Sequence, residues 1–230
     1  MLGWLNFASQ VAVVGDVGVG KTSLISTYAS AVFPSEAPHT LPPTTPPAER
    51  CPYPVPLQIL DTRFNGDSSL SELENMKDNI ARADVVLLLY DCGSVNSLKR
   101  LKKEWMQTYL APAQQRLLRA RLLEPRSTVV EYAQVVLVGC KLDTRVHKSG
   151  AAQGSSSNSE SGMVSISHVD IERHIRPLME EFPNVETCME CSAKMHVQVN
   201  DVFNYAVKAV LDPIVSSLIC TRILPLATCV

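Results

Sequence analysis

No run of 18 or more consecutive apolar residues occurs in this 230-residue chain, so no membrane span is encoded here. Net charge is nearly absent: 21 Lys and Arg stand against 23 Asp and Glu, a balance of -2, which argues against a general nucleic-acid binder. Histidine is sparse; the five are dispersed, with none at metal-ligand spacing. The seven cysteines (51, 92, 140, 188, 191, 220 and 229) are odd in number and irregularly placed. Cys188 and Cys191 make one C-x-x-C without a second pair, so neither a zinc site nor a disulfide framework is indicated. Reduced thiols of an intracellular protein are expected. The first residues, MLGWLNFASQ, lack a basic region and are too poor in arginine for a transit peptide. In the final ATCV the cysteine stands one residue from the end, which is no prenylation box.

What is present is a core and one strong motif. Hydrophobic residues make up 46%, enough to fill one large domain or two small ones. Residues 11–23 read VAVVGDVGVGKTS: a buried-strand run, then Gly15-x4-Gly20-Lys21-Thr22, then apolar residues at helical spacing. This is the strand–loop–helix context of a P-loop. Gly15, Asp16, Gly18, Val19, Gly20, Lys21, Thr22 and Ser23 form the candidate phosphate cradle. The glycines permit conformations that converge backbone N–H groups on phosphate oxygens, and the following helix adds its positive end. Lys21 can reach the β- and γ-phosphates, and the Thr22 hydroxyl can ligate Mg2+. The P-loop alone does not choose the nucleotide.

The rest of the chain alternates. A first helix is expected over 21–32 with Leu24, Ile25, Tyr28 and Val32 on one face. A proline-rich stretch, 33–56, forbids helix, with an edge strand expected near 45–51. A strand over 56–61 ends in Asp61. A second helix is expected from Ser71, capped by Ser71 and Glu74, with Leu70, Leu73, Met76 and Ile80 inward. DVVLLLYD (84–91) and AQVVLVG (133–139) are strands apolar enough to be covered on both faces. Between them a helix begins near Val95, carries Trp105 into the core and is bent or ended by Pro112. A helix over 168–182, a strand over 185–193 and a last helix capped by Asn200 and ended by Pro213 complete the order. The Gly/Ser-rich stretch 148–162 reads as a linker. Such alternation predicts an α/β fold, a P-loop NTPase with a doubly wound, mostly parallel sheet and helices on both faces. Ligands of such sheets bind at the C-terminal strand ends, and there the P-loop, Asp61, CKLD (140–143) and CSAK (191–194) all lie.

Asp61 can hold the Mg2+ ion. Asp143 can accept two hydrogen bonds from guanine, at N1–H and the 2-amino group, where adenine offers neither donor; each charge-assisted bond contributes roughly 1.5–3 kcal/mol. Lys141 can lay its aliphatic stem over the ring. With Ser192-Ala193-Lys194 these motifs, in this order, resemble the Ras-superfamily small GTPases. More closely, LPPTTPPAE (41–49), GCKLD (139–143) and VETCMECSAKMHVQVNDVFNYAVKAVLDP (185–213) resemble the N-terminal GTPase domain of the mitochondrial Rho GTPases, or Miro, in plant or algal form. The resemblance covers residues 9–213, skips insertions near 113–132 and 148–165, and leaves 214–230 unassigned.

The resemblance implies GTP and GDP as ligands with Mg2+, and a switch acting through effector, GAP and exchange-factor proteins. Ala193 would meet the guanine O6 through its N–H, and Lys194 would wall the base. Thr44, or alternatively Thr45, would be the switch threonine at the metal. The family's glutamine that orients the attacking water is replaced by Asn65, and the preceding glycine by Phe64. Val17 stands where glycine is common, and Cys140 replaces the asparagine that braces the base. Catalysis would therefore rest on Lys21, Thr44 and Asn65, with slow hydrolysis; the alternative is a pseudo-GTPase that binds without cycling. A P-loop kinase or ATPase is disfavoured by Asp143 and Ala193. As it stands the chain would be cytoplasmic; within a full-length relative it would face the cytosol on the mitochondrial outer membrane.

Overall fold

The structure, a computed structural model, describes residues 9–51, 56–63, 68–113, 133–145 and 168–223. Strands β1 (Ser9–Gly15), β2 (Leu57–Asp61), β3 (Val85–Asp91), β4 (Gln134–Cys140) and β5 (Val185–Glu190) form one sheet in the order β2-β1-β3-β4-β5. Every neighbouring pair is parallel, so the sheet expected to be mostly parallel is wholly so. β1 pairs with both β2 and β3, which makes its C-terminal end the switch point where a ligand crevice opens.

Both sheet faces are covered, the reason the strands read as unbroken apolar runs. On one face, α2 (Leu70–Arg82), α3 (from Val95) and α4 (His168–Glu181) pack Met76, Ile80, Leu98, Trp105, Ile175 and Leu178 against Val14, Val86, Leu88 and Leu137. On the other, α1 (Lys21–Ser30) and α5 (Val199–Ile223) pack Leu24, Ile25, Tyr28, Val202 and Phe203 against Val13, Leu87 and Val136. The Tyr28 and Phe203 rings stack at 4.1 Å between centroids, a contact that typically contributes about 0.5–1.5 kcal/mol beyond its area. No helix among the described residues is long and apolar enough to cross a membrane. Cys51, Cys92, Cys140, Cys188 and Cys191 are free thiols.

Several boundaries differ from the sequence expectations. α1 stops at Ser30 because Ala31 turns left-handed and donates to the Thr27 carbonyl; Val32, expected on the apolar face, is 65% exposed. The edge strand expected at 45–51 is absent. Prolines limit pairing there to one antiparallel bridge, Thr44 to Ile59, followed by a 3-10 turn at Ala48–Arg50. α2 is capped two residues earlier than expected, by a reciprocal box of Ser69 and Glu72, and Leu70 faces solvent at its first position. β5 ends at Glu190, leaving Cys191 and Ser192 in the loop that follows.

α3 changes character along its length. Val95–Arg100 is α-helical, and Leu101–Leu110 is π-helical, ending with the Ala111 N–H on the Met106 carbonyl five residues back. Helix continues through Pro112 to 113. α5 begins at Val199, so Asn200 is inside it rather than its cap, and it runs through Pro213 to Ile223. α4 also contains a proline, Pro177. A proline removes one hydrogen bond and crowds one carbonyl, which kinks a helix without having to end it. The insertions expected near 113–132 and 148–165, apart from residue 113, lie outside the described residues, as do Phe64, Asn65 and 224–230.

Candidate functional site

The loop between β1 and α1 is shaped by its glycines. Gly15 has φ +144, and a Cβ there would stand 2.5 Å from the Leu89 carbonyl oxygen of β3. No side chain fits, so backbone follows backbone. Gly20 precedes α1 in the left-handed region with no side-chain cap; the first N–H groups of the helix are left for an anion. Lys21 is 8% exposed, and its Nζ donates to the carbonyls of Gly15 and Asp16, both at 2.9 Å. Burial holds its pKa below the usual lysine value, against the attraction of Asp61 and Asp16. A phosphate oxygen is the ligand that would relieve this.

Asp61 closes β2 beside the start of α1. Its Oδ2 accepts from the Thr22 hydroxyl at 2.8 Å and from the Leu41 N–H at 3.0 Å. Its Oδ1 is buried and has no partner among the described residues. Burial pushes the carboxyl up, opposed by the Leu41 and Thr22 bonds and by Lys21. A hydroxyl and an under-coordinated carboxylate at hydrogen-bond distance suit a hard divalent cation with oxygen ligands. Thr44 is not brought to this pair. Its backbone bonds Ile59 at 2.9 and 2.8 Å, and its hydroxyl donates to the Pro42 carbonyl at 2.8 Å.

The second half of the site comes from the ends of β4 and β5. Asp143 is 8% exposed; its Oδ1 accepts from the Ser192 hydroxyl at 2.6 Å, and the Ser192 oxygen accepts in turn from the Met195 N–H at 3.1 Å. Serine thus orients the carboxylate. Lys141 adopts a left-handed φ of 59 and donates to Asp91 Oδ2 at 2.8 Å. Arg145 binds Glu190 through two bonds of 2.5 Å, tying this loop to β5. Cys140 and Cys191 are buried with sulfurs 3.9 Å apart; that contact and burial hold the Cys140 thiol well above the usual range.

A cavity of about 150 Å³ joins the two halves, lined by Val19, Gly20, Ser23, Phe33, Cys140, Lys141, Asp143, Ala193 and Lys194. Residues more than a hundred positions apart meet there. The glycine-rich loop is at one end, and a buried carboxylate with a lysine-bearing loop at the other. A larger cavity of about 780 Å³ lies between α4 and β5, lined by Ile171, Ile175, Met179 and Glu190 among others, and contains none of the P-loop residues.

Of the site residues expected from sequence, the structure gathers the P-loop residues, Asp61, Lys141, Asp143, Ser192, Ala193 and Lys194 along this edge. Thr44 stands apart, and Asn65 lies outside the described residues. Sequence reading missed three contributors. Phe33 is the aromatic just past α1, with no periodicity to mark it. Asp91 is a carboxylate closing a strand, as Asp61 does, and that parallel was the available signal. Trp105 was assigned to the core, and its ring is buried at 2% exposure; yet its Nε1 donates to the P-loop Asp16 at 2.9 Å.

A profile of the Ras family matches residues 10–212. Over 204 residues the chain is 38% identical to Mitochondrial Rho GTPase 2 of Arabidopsis thaliana, covering 89% of this chain and 26% of that protein. Over the same length it is 32% identical to Mitochondrial Rho GTPase 1 of Arabidopsis thaliana, with 26% of that protein covered. It is 30% identical to Mitochondrial Rho GTPase 1 of Mycosarcoma maydis, with 22% covered. The chain spans about a quarter of the length of these relatives.

Proposed function

The chain belongs to the Ras family, and from that premise we propose that it is a guanine-nucleotide switch that binds GTP and GDP with Mg2+ and hydrolyses GTP slowly. The observation that carries this is the shared cavity, where Gly20 and Ser23 of the phosphate loop meet Asp143, Ala193 and Lys194. The Asp143 carboxylate, held by Ser192, is suited to accept from guanine N1–H and the 2-amino group. The Ala193 N–H is assigned to the guanine O6, and the stems of Lys141 and Lys194 to the faces of the base. Lys21 and the N–H groups opening α1 take the phosphates. Thr22 and Asp61 are the protein's ligands for the cation, Asp61 directly or through water. Mg2+ held there would supply positive charge to offset that of the phosphates.

Slow turnover is expected from the residues around the terminal phosphate. Val17 is 62% exposed and would crowd a partner's arginine. Asn65 is shorter than the glutamine that orients water. The second reading, a nucleotide-binding module that does not cycle, is favoured by one feature: the Thr44 hydroxyl is turned to Pro42 rather than to Thr22 and Asp61. By similarity to mitochondrial Rho GTPases, the proposed setting is the cytosolic face of the mitochondrial outer membrane, as part of a longer protein, with effector, GAP and exchange-factor partners.

Two measurements test this. Competition of GTP, XTP and ATP against a fluorescent guanine nucleotide should rank GTP first; equal competition by ATP would overturn guanine specificity. Single-turnover hydrolysis should be detectable but far below the roughly 5–20 per second of GAP-stimulated small GTPases. Nucleotide binding with no hydrolysis would favour the second reading.

A further inference from the structure

Asp16 is a residue of the phosphate loop with two separate attachments. Its main-chain carbonyl accepts from Lys21 Nζ at 2.9 Å. Its side chain, 13% exposed, turns the other way, to α3. There Oδ1 accepts from Trp105 Nε1 at 2.9 Å and faces Arg100 Nη1 at 3.4 Å. A carboxylate in a loop built for a triphosphate is a liability, because it repels the ligand's charge. Here it is drawn away from the loop, and a guanidinium stands against it.

The two α3 residues reach one carboxylate because the helix is wound unusually between them. Residues five apart on an α-helix point ~140° away from each other. The wider π-helical winding of Leu101–Leu110, with bonding to the fifth residue back, brings residue 105 closer to the face of residue 100 than an α-helix would. π-Helical stretches are rare and concentrate at functional sites. Two local features suit this winding. The Thr108 hydroxyl donates to the Lys103 carbonyl, five residues earlier, at 2.9 Å, and Pro112 has no N–H to complete an α-helical bond.

We propose that Trp105 and Arg100 are positioning residues of the nucleotide site. By holding the Asp16 carboxylate they fix the carbonyl that holds Lys21 and set the rate at which nucleotide leaves. α3 is then a handle on release. Arg100 is 47% exposed and also bonds Glu104 through Nε at 2.7 Å, so a protein that drew Arg100 toward an acidic side chain of its own would loosen the phosphate loop without touching it. This rests on the site binding a guanine nucleotide as proposed above.

The test is release of a fluorescent GDP analogue from the full chain with Mg2+, followed by stopped flow after excess unlabelled GDP. Trp105→Phe keeps an aromatic ring and removes the N–H; release should quicken roughly tenfold, the effect of losing one hydrogen bond to a charged group. Arg100→Gln should quicken it about twofold to fivefold, as expected for a half-exposed ion pair. A role in the core alone would make Trp105→Phe act equally whatever stands at 16. The proposal instead requires that Asp16→Ala, which leaves neither charge nor acceptor to hold, abolish most of the Trp105→Phe effect, so that the double variant releases no faster than Asp16→Ala alone. Wild-type release rates in both Trp105→Phe and Arg100→Gln, or additive effects with Asp16→Ala, would overturn it. If Trp105→Phe does not fold, Arg100→Gln on its exposed side chain decides, alone and paired with Asp16→Ala. Failure of the wild type to bind the analogue would instead remove the nucleotide reading beneath it.

Discussion

Replacing Asp61 by asparagine should stabilise the ligand-free protein and disable the liganded one. In the fold Asp61 Oδ2 has two donors, Thr22 and Leu41, while Oδ1 is buried without a partner among the described residues. A buried polar atom left unpaired costs about 1–3 kcal/mol, and more when charged. An asparagine keeps an acceptor for both donors and places a neutral amide nitrogen where the charged oxygen was, so a net gain of about 1–2 kcal/mol is expected. For a domain of this size that is a melting-point rise of roughly 2–8 °C. The pH dependence gives the sign independently. Burial raises the carboxyl above its usual value, so the folded state holds this proton more tightly than the unfolded chain. The associated stability is fully present below the unfolded carboxyl's pKa and is lost as pH rises through the raised one. The asparagine's advantage should therefore be largest at neutral pH and shrink on acidification. With Mg2+ and GTP at about a hundred times Kd, the wild type should gain about 2.7 kcal/mol by mass action and the variant much less, inverting the order. Thermal melts from pH 5 to 8, with and without Mg2+ and GTP, read both effects. A ligand-free variant less stable than wild type at neutral pH, by an amount independent of pH, would refute the account of Asp61.

Three further outcomes are expected. Asp143→Asn presents a donor to the guanine 2-amino group, so GTP affinity should fall about ten- to a hundredfold with a relative gain for XTP; an unchanged order in nucleotide competition would count against Asp143 as the base reader. Tyr28→Phe keeps the stack on Phe203 but loses the bond to the Arg50 carbonyl at 3.0 Å, so unfolding in denaturant should show a loss of about 0.5–1.5 kcal/mol and hydrogen exchange at 48–51 should quicken. Gly15→Ala puts a Cβ 2.5 Å from the Leu89 carbonyl oxygen and should cost about 3 kcal/mol or more; wild-type stability would show that β1 and β3 can part there.

The parts of the site legible in the sequence are those whose chemistry is carried by local pattern. Gly15 to Thr22 is recognisable because spacing and residue type determine the loop, Asp143 because it follows a strand too apolar to be anything but central, and Ser192 through its Ser-Ala-Lys motif rather than through β5, a partly polar edge strand. What was not legible depends on tertiary placement. Trp105 sits on an apolar helical face and reads as core, which it is, but nothing local says that its N–H meets Asp16 across 89 residues. Phe33 lines the cavity because α1 ends at Ser30 and turns at Ala31, and a left-handed alanine has no sequence signature. Thr44 was assigned by likeness of a short motif, whereas its position is decided by its pairing with Ile59. Pro213 was read as a stop because the rule describes what proline costs, not what the rest of a helix can absorb.

Cys140 shows how the structure redistributes a role that the family resemblance gives to asparagine. At this position an amide could bond both the phosphate loop and the base loop. The thiol is a weak donor, and its neighbour is another thiol, Cys191. The bracing falls to pairs around it: Ser192 to Asp143 at 2.6 Å, Lys141 to Asp91 at 2.8 Å, and Arg145 to Glu190 at 2.5 Å. Each crosses from the β4 end to a neighbouring strand or the loop after it, so the base loop is tied to β3 and β5 rather than to the phosphate loop. The phosphate loop is tied elsewhere, to α3 through Asp16. The two halves of the cavity thus have separate supports. Loosening one need not loosen the other, which is the physical basis for separating the base preference proposed for Asp143 from the release rate proposed to depend on Asp16.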